Sequence, residues 1–268
     1  MQAQAVWAMW RRILREPELA EWALGDAPAD DPRLTNMSAD ELEILRAYAG
    51  NKVSTRFFVE NYRFRLASSA LNALETAGPL TRRAITSNGN DLDAMITELL
   101  ESTGWRDFGP NVYTFGALIL EYLASRPDVA AIAGIPDLIR LELAATGITM
   151  AAARSTANGA QPATMARWRL NPWLRLVTCD LDLAGWLRAP VSLGRVRPAA
   201  GPRQFAVFLP SLEARARVVA LPSSAAALLA LLIEHGRLTA EQEEESQQLL
   251  TELSRMGLIW PNRAGSRC

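Results

Sequence analysis

The feature that most constrains this chain is a change of hydrophobic period near residue 160. Before it, apolar residues recur every three or four positions, and no stretch alternates as a half-buried strand does. Val6, Met9, Trp10, Ile13 and Leu14 form one such stripe, followed by a short piece from Glu18 to Leu24. Gly25 to Pro32 is a loop by composition. Ser38, with Glu41 three residues on, is a capping box that opens a helix through Leu42, Leu45 and Tyr48. Lys52 to Thr76 is the longest helical stretch, and Gly78-Pro79 breaks it. Further helices are expected over Asp91 to Ser102, Thr114 to Ser125, and Ile135 to about Ala153. Residues 1–154 therefore read as an all-helical domain.

Ser155 to Pro162 is small, polar and turn-rich, so residues 155–164 read as a linker to a second domain, 165–268. There the pattern switches. Leu174, Leu176 and Thr178 alternate with Arg175, Val177 and Cys179, as in a strand. Asp180 to Leu187 is expected to be a short helix and Pro190 to Pro202 a loop. Phe205, Val207 and Leu209 alternate too, and across the turn at Pro210 they are expected to form a hairpin with Arg215 to Leu221. Ser223 or Ser224 is the expected cap of one helix, and Thr239 of a helical region ending at Met256-Gly257. Leu258-Ile259-Trp260 is extended. That order is the order of a small winged-helix-like module, so the expected fold class is α+β.

The counts of reactive residues narrow the chemistry. There is one histidine, His235, and two cysteines, Cys179 and Cys268, among 268 residues. A Cys/His zinc site needs three or four such ligands, and a hydrolytic triad would have to rest on His235. His235 precedes Gly236, where a histidine at a helix end favours the helix dipole. The chain is thus expected to be no enzyme and to hold no metal or cofactor. No apolar run reaches the roughly 18 residues of a membrane span, and the start lacks a signal-peptide pattern, so a cytoplasmic location is expected.

Charge is balanced overall, at 28 basic and 29 acidic residues, but is unevenly placed. Residues 161–217 hold nine arginines against Asp180, Asp182 and Glu213. A basic excess attracts an acidic peptide or a phosphate backbone. The last helical region begins with Glu241, Glu243, Glu244 and Glu245, whereas a recognition helix in a major groove presents Arg, Lys, Asn or Gln. This favours a peptide over nucleic acid, with a DNA-binding regulator as the alternative.

Two segments carry a resemblance. Phe205 to Ile259 resembles the small precursor-recognition modules of ribosomally made, modified peptide (RiPP) biosynthesis. The features are the hairpin Phe205–Leu221, the helix entry Leu221-Pro222-Ser223-Ser224, and Leu249-Leu250, Leu253 and Gly257-Leu258-Ile259. Leu42 to Ala145 resembles the helical domain of proteins that accompany multinuclear non-haem iron-dependent oxidative enzymes, as in methanobactin-type and 3-thiaglutamate-type pathways. The features are Asn61-Tyr62-Arg63, Pro79, Tyr113, Phe115, Leu123, Arg126-Pro127 and Pro136-Asp137-Leu138 with Arg140-Leu141-Glu142. Residues 1–37 stand outside this resemblance. It implies a heterodimer in which the partner enzyme holds the iron and this chain binds a precursor peptide's leader. It implies a leader site at Arg215, Arg217, Val218, Val219, Leu249, Leu250 and Leu253, with Tyr62 and Arg63 facing the partner.

Overall fold

A computed structural model describes residues 3–25, 31, 34–109, 111–155, 167–190 and 197–262. The fold is α+β: mostly helix, with small antiparallel sheets confined to the C-terminal part. The helices before residue 156 are α1 Ala3–Arg15, α2 Pro17–Leu24, α3 Ala39–Gly50, α4 Lys52–Ala77, α5 Pro79–Ser87, α6 Leu92–Ser102, α7 Val112–Ser125, α8 Pro127–Ala130 and α9 Ile135–Ser155. Then come β1 Trp168–Leu170, β2 Leu174–Asp182, α10 Ala184–Arg188, β3 Ala199–Phe208, β4 Arg217–Ala220, α11 Ser223–His235, α12 Ala240–Glu245, α13 Gln247–Met256 and β5 Ile259–Pro261.

The chain forms two compact units, residues 1–74 with 91–115, and residues 75–90 with 116–268. The expected linker lies almost wholly outside the described residues. Compactness groups the chain differently from the expected 1–154 and 165–268, because α5 and α9 belong with the strands.

In the first unit, α1, α2 and α3 pack on one another around Met9, Ile13, Leu19, Trp22, Ile44, Leu45 and Val59. The capping box at Ser38 is present: its hydroxyl accepts from the Glu41 amide, and its own amide donates to the Glu41 carboxylate at 2.9 Å.

The second unit is built on a three-stranded sheet in the order β2-β3-β4, with both pairings antiparallel. Facing residues share a side of a sheet, so Phe208, Ala206, Leu174, Leu176 and Val219 turn together toward α11 and α13. Their core includes Leu228, Leu229, Leu232, Leu250 and Leu253. Phe205 and Val207 alternate to the other face and are fully buried, and α9 packs against β2 and β3 there. A second, two-stranded sheet pairs β1 with β5. Asn171 joins these parts: its side-chain amide donates to the Leu209 and Gly257 carbonyls, both at 2.8 Å.

Several expectations are corrected. Asp180–Leu187 is not one helix; β2 runs on to Asp182 and only Ala184–Arg188 is helical. The reason is tertiary. The β2–β3 register shifts between Cys179 and Leu181, which frees two amides, and Asp137 of α9 accepts from Asp180 at 3.1 Å and Leu181 at 2.9 Å. The expected loop before Pro202 is in part strand, since β3 begins at Ala199. Neither Ser223 nor Ser224 caps α11, whose N-cap is Pro222. The last helical region is two helices, α12 and α13, meeting at Ser246.

Candidate functional site

The sheet leaves one long edge of β4 without a neighbour among the described strands. Antiparallel partners alternate between pairs that exchange backbone hydrogen bonds and pairs that do not. The Leu221 amide donates to the Gln204 carbonyl at 2.9 Å, so Val219 and Arg217 also turn their backbone groups toward β3. Val218 and Ala220 therefore turn theirs outward. This edge offers an incoming strand one donor and one acceptor at each of two residues.

A cavity of about 550 Å³ adjoins the edge, lined by Val218, Val219 and Ala220 on one side and by Asp182, Ala184, Leu187, Arg188 and Arg203 on the other. Arg203 pairs with Asp182 at 3.0 Å. The expected groove between this strand and the last helix is thus bordered by α10 instead of α13.

The predicted leader-site residues fall in four places. Val218 and Val219 line the cavity, and Arg217 opens β4 with its side chain exposed. Arg215 is exposed but precedes the strand, because β4 is shorter than the alternation implied. Leu250 and Leu253 are wholly buried in the core beneath the sheet, so they present no surface to a ligand. Leu249 is half-buried and borders the same core as Val219. Arg188 and Arg203 escaped the sequence reading; no local signal marks them, since the fold brings them to β4 from α10 and β3.

Tyr62 and Arg63 are half-buried against Trp105. The Tyr62 hydroxyl donates to the Trp105 carbonyl at 3.1 Å, and the Arg63 guanidinium lies 4.9 Å from the centre of its ring. Burial pulls the Arg63 pKa below its ordinary value, with Glu101 opposing. Both side chains are engaged within the first unit.

The other resemblance-bearing residues hold helices in place. Asp137 is buried, spans the β2 irregularity and pairs with Arg140, which also reaches Asp180 at 2.7 Å. Glu142 is buried and accepts from the Leu80 and Thr81 amides at 2.8 and 3.0 Å. Those amides open α5, whose N-cap Gly78 has no side chain to serve them. Burial pushes the Glu142 carboxyl up to about 7. It likewise pushes the Cys179 thiol up to about 12, far from a reactive thiolate. Among the described residues no cluster of three His, Cys, Asp or Glu is placed to hold a metal, and no helix is long and apolar enough to cross a membrane.

The chain matches no protein-family model and no curated protein.

Proposed function

We propose that the chain is a non-catalytic subunit that captures a ribosomally made precursor peptide by its leader and presents it to an iron-dependent oxidative enzyme. In this reading β2-β3-β4 with α11, α12 and α13 is a winged-helix-like recognition module. The observation that carries it is the outward backbone of Val218 and Ala220 beside a cavity with arginines in its wall. A leader would add as a fourth strand; main-chain hydrogen bonds supply affinity and side-chain pockets supply selectivity. Arg188, Arg215 and Arg217 favour an acidic leader, while Arg203 is held by Asp182. Tethering the leader raises the effective concentration of the modifiable segment at the partner's iron. The iron belongs to that partner, as the resemblance implies.

The exposed acidic side chains of Glu241, Glu244 and Glu245 on α12 speak against duplex DNA as the ligand. The test is isothermal titration with synthetic leader peptides of acidic composition, after a search of the neighbouring genes for a short precursor. Val218→Pro deletes an outward amide and should weaken binding about tenfold or more. Arg215→Glu with Arg217→Glu should also weaken it, by about tenfold. Parent-like affinity in both folded variants, or tight salt-sensitive binding of duplex DNA in place of the leader, would overturn the reading.

A further inference from the structure

Three clustered arginines of the first unit have no counter-ion among the described residues. The spacing of four places Arg11 and Arg15 on one face of α1. Arg12 between them is engaged: it donates to both Glu16 carboxylate oxygens at 3.0 and 3.3 Å and to Glu41 at 3.4 Å. Arg11, Arg15 and Arg106 make no side-chain hydrogen bond or ion pair among the described residues. All four line one cavity of about 400 Å³, together with Gly104 and a single carboxylate, Glu16. Four arginines against one glutamate leave that cavity at +3.

Arg106 arrives there through a contorted turn. Gly104 and Trp105 are consecutive left-handed residues, at φ +68° and +49°. A bulky side chain seldom adopts this conformation, and does so where its surroundings over-determine it. Here Tyr62 holds the Trp105 carbonyl, Arg63 covers its ring, and the ring is buried. At Gly104 it is the positive φ that favours glycine, and a Cβ there would stand in ordinary contact with the Arg15 carbonyl oxygen. A second cavity of about 700 Å³ shares Arg12, Arg15, Glu16, Gly104 and Arg106, adds Glu18 and Glu101, and continues over Trp22, Met37 and Phe108, so the positive charge is concentrated at the smaller cavity and the apolar wall at the larger.

We propose that this pair of cavities binds an acidic peptide segment, with its carboxylates on Arg11, Arg15 and Arg106 and its apolar side chains against Trp22, Met37 and Phe108. Guanidinium groups gathered without partners repel one another, and a carboxylate matches their fork in a bidentate pair. A small inorganic anion would use the basic cavity and leave the apolar one empty. A nucleic-acid backbone carries a charge at every residue and would meet Glu18 and Glu101 on the wall of the larger cavity, whereas a peptide can turn its apolar side chains to that wall and keep its carboxylates at the arginines. The site lies in the first unit and stands whether or not β4 takes a leader.

The test uses the full chain and a fluorescently labelled hexapeptide of alternating glutamate and leucine, read by polarisation at low salt. Binding should weaken about tenfold in Arg11→Glu with Arg15→Glu and about threefold in Arg106→Ala. If the reversal pair fails to fold, Arg11→Gln with Arg15→Gln replaces it, with a loss of about threefold or more expected. Three outcomes overturn the proposal: no binding up to about 1 mM peptide, parent-like binding in the arginine variants, or displacement by an equal concentration of inorganic phosphate. The last would leave a plain oxyanion site.

Discussion

Glu142 is a carboxyl group enclosed by protein, and it accepts from the two amides that open α5. Desolvation outweighs those hydrogen bonds and lifts its pKa to about 7 from the ordinary 4.5. Between those values the folded chain keeps a proton that the unfolded chain has lost. Stability should therefore fall as pH rises through this window, by up to about 3 kcal/mol. Glu142→Gln retains one acceptor and has no proton to lose, so its urea-unfolding free energy should lack this contribution. Equal slopes for parent and variant between about pH 5 and about pH 7.5 would contradict the assignment. The sequence displays Asp137, Arg140 and Glu142 as a motif but hides what they do. The amides held by Glu142 lie 62 and 61 residues away, and those held by Asp137 lie 43 and 44 away. No local rule spans such separations.

Elements whose signals are local were legible. Ser38 with Glu41 and Thr239 with Gln242 close both halves of a capping box, and Gly236 and Gly257 end helices in left-handed conformation. Elements that depend on distant partners were not. β1 has three residues, too few to show alternation, and it pairs with β5 about ninety residues later. The polar run Asp180–Asp182 stays in strand form because α9 supplies acceptors for its amides. The β4 edge was half legible for the same reason: alternation locates the strand, but its neighbour α10 is a matter of packing. The register makes a sharp distinction between adjacent valines. The Val219 amide faces β3, so Val219→Pro removes a ladder bond, leaves the facing carbonyl unpaired and should destabilise the second unit by about 1–3 kcal/mol. The Val218 amide faces outward, and proline at such an edge position is tolerated, so Val218→Pro should stay within about 1 kcal/mol of the parent. Chemical unfolding followed by circular dichroism checks the order. A Val218→Pro variant as unstable as Val219→Pro would mean that the outward edge is assigned to the wrong residues.

Across the whole molecule, the segment that the resemblance left outside, residues 1–37, supplies α1 and α2 to the first unit's core. Met9, Ile13, Leu14, Leu19 and Trp22 are all buried, and they cover Ile44, Leu45 and Val59 from α3 and α4. Fully burying side chains of this size contributes about 1.5–3 kcal/mol each. Five of them approach or exceed the roughly 5–15 kcal/mol by which a folded domain is stable. A chain lacking residues 1–37 should therefore not hold the first unit together. The second unit has its own core of Phe208, Leu229, Leu232, Leu250 and Leu253, drawn entirely from residues beyond 167. Hydrogen exchange on the truncated chain should show amide protection lost at Ile44 and Leu45 but kept along Phe205–Phe208. Retained protection at Ile44 and Leu45 would mean that α3 and α4 support one another without α1 and α2. Loss at both places would mean that the two units fold as one cooperative body, with their separate cores joined through α4 and α7, which each carry residues of both units.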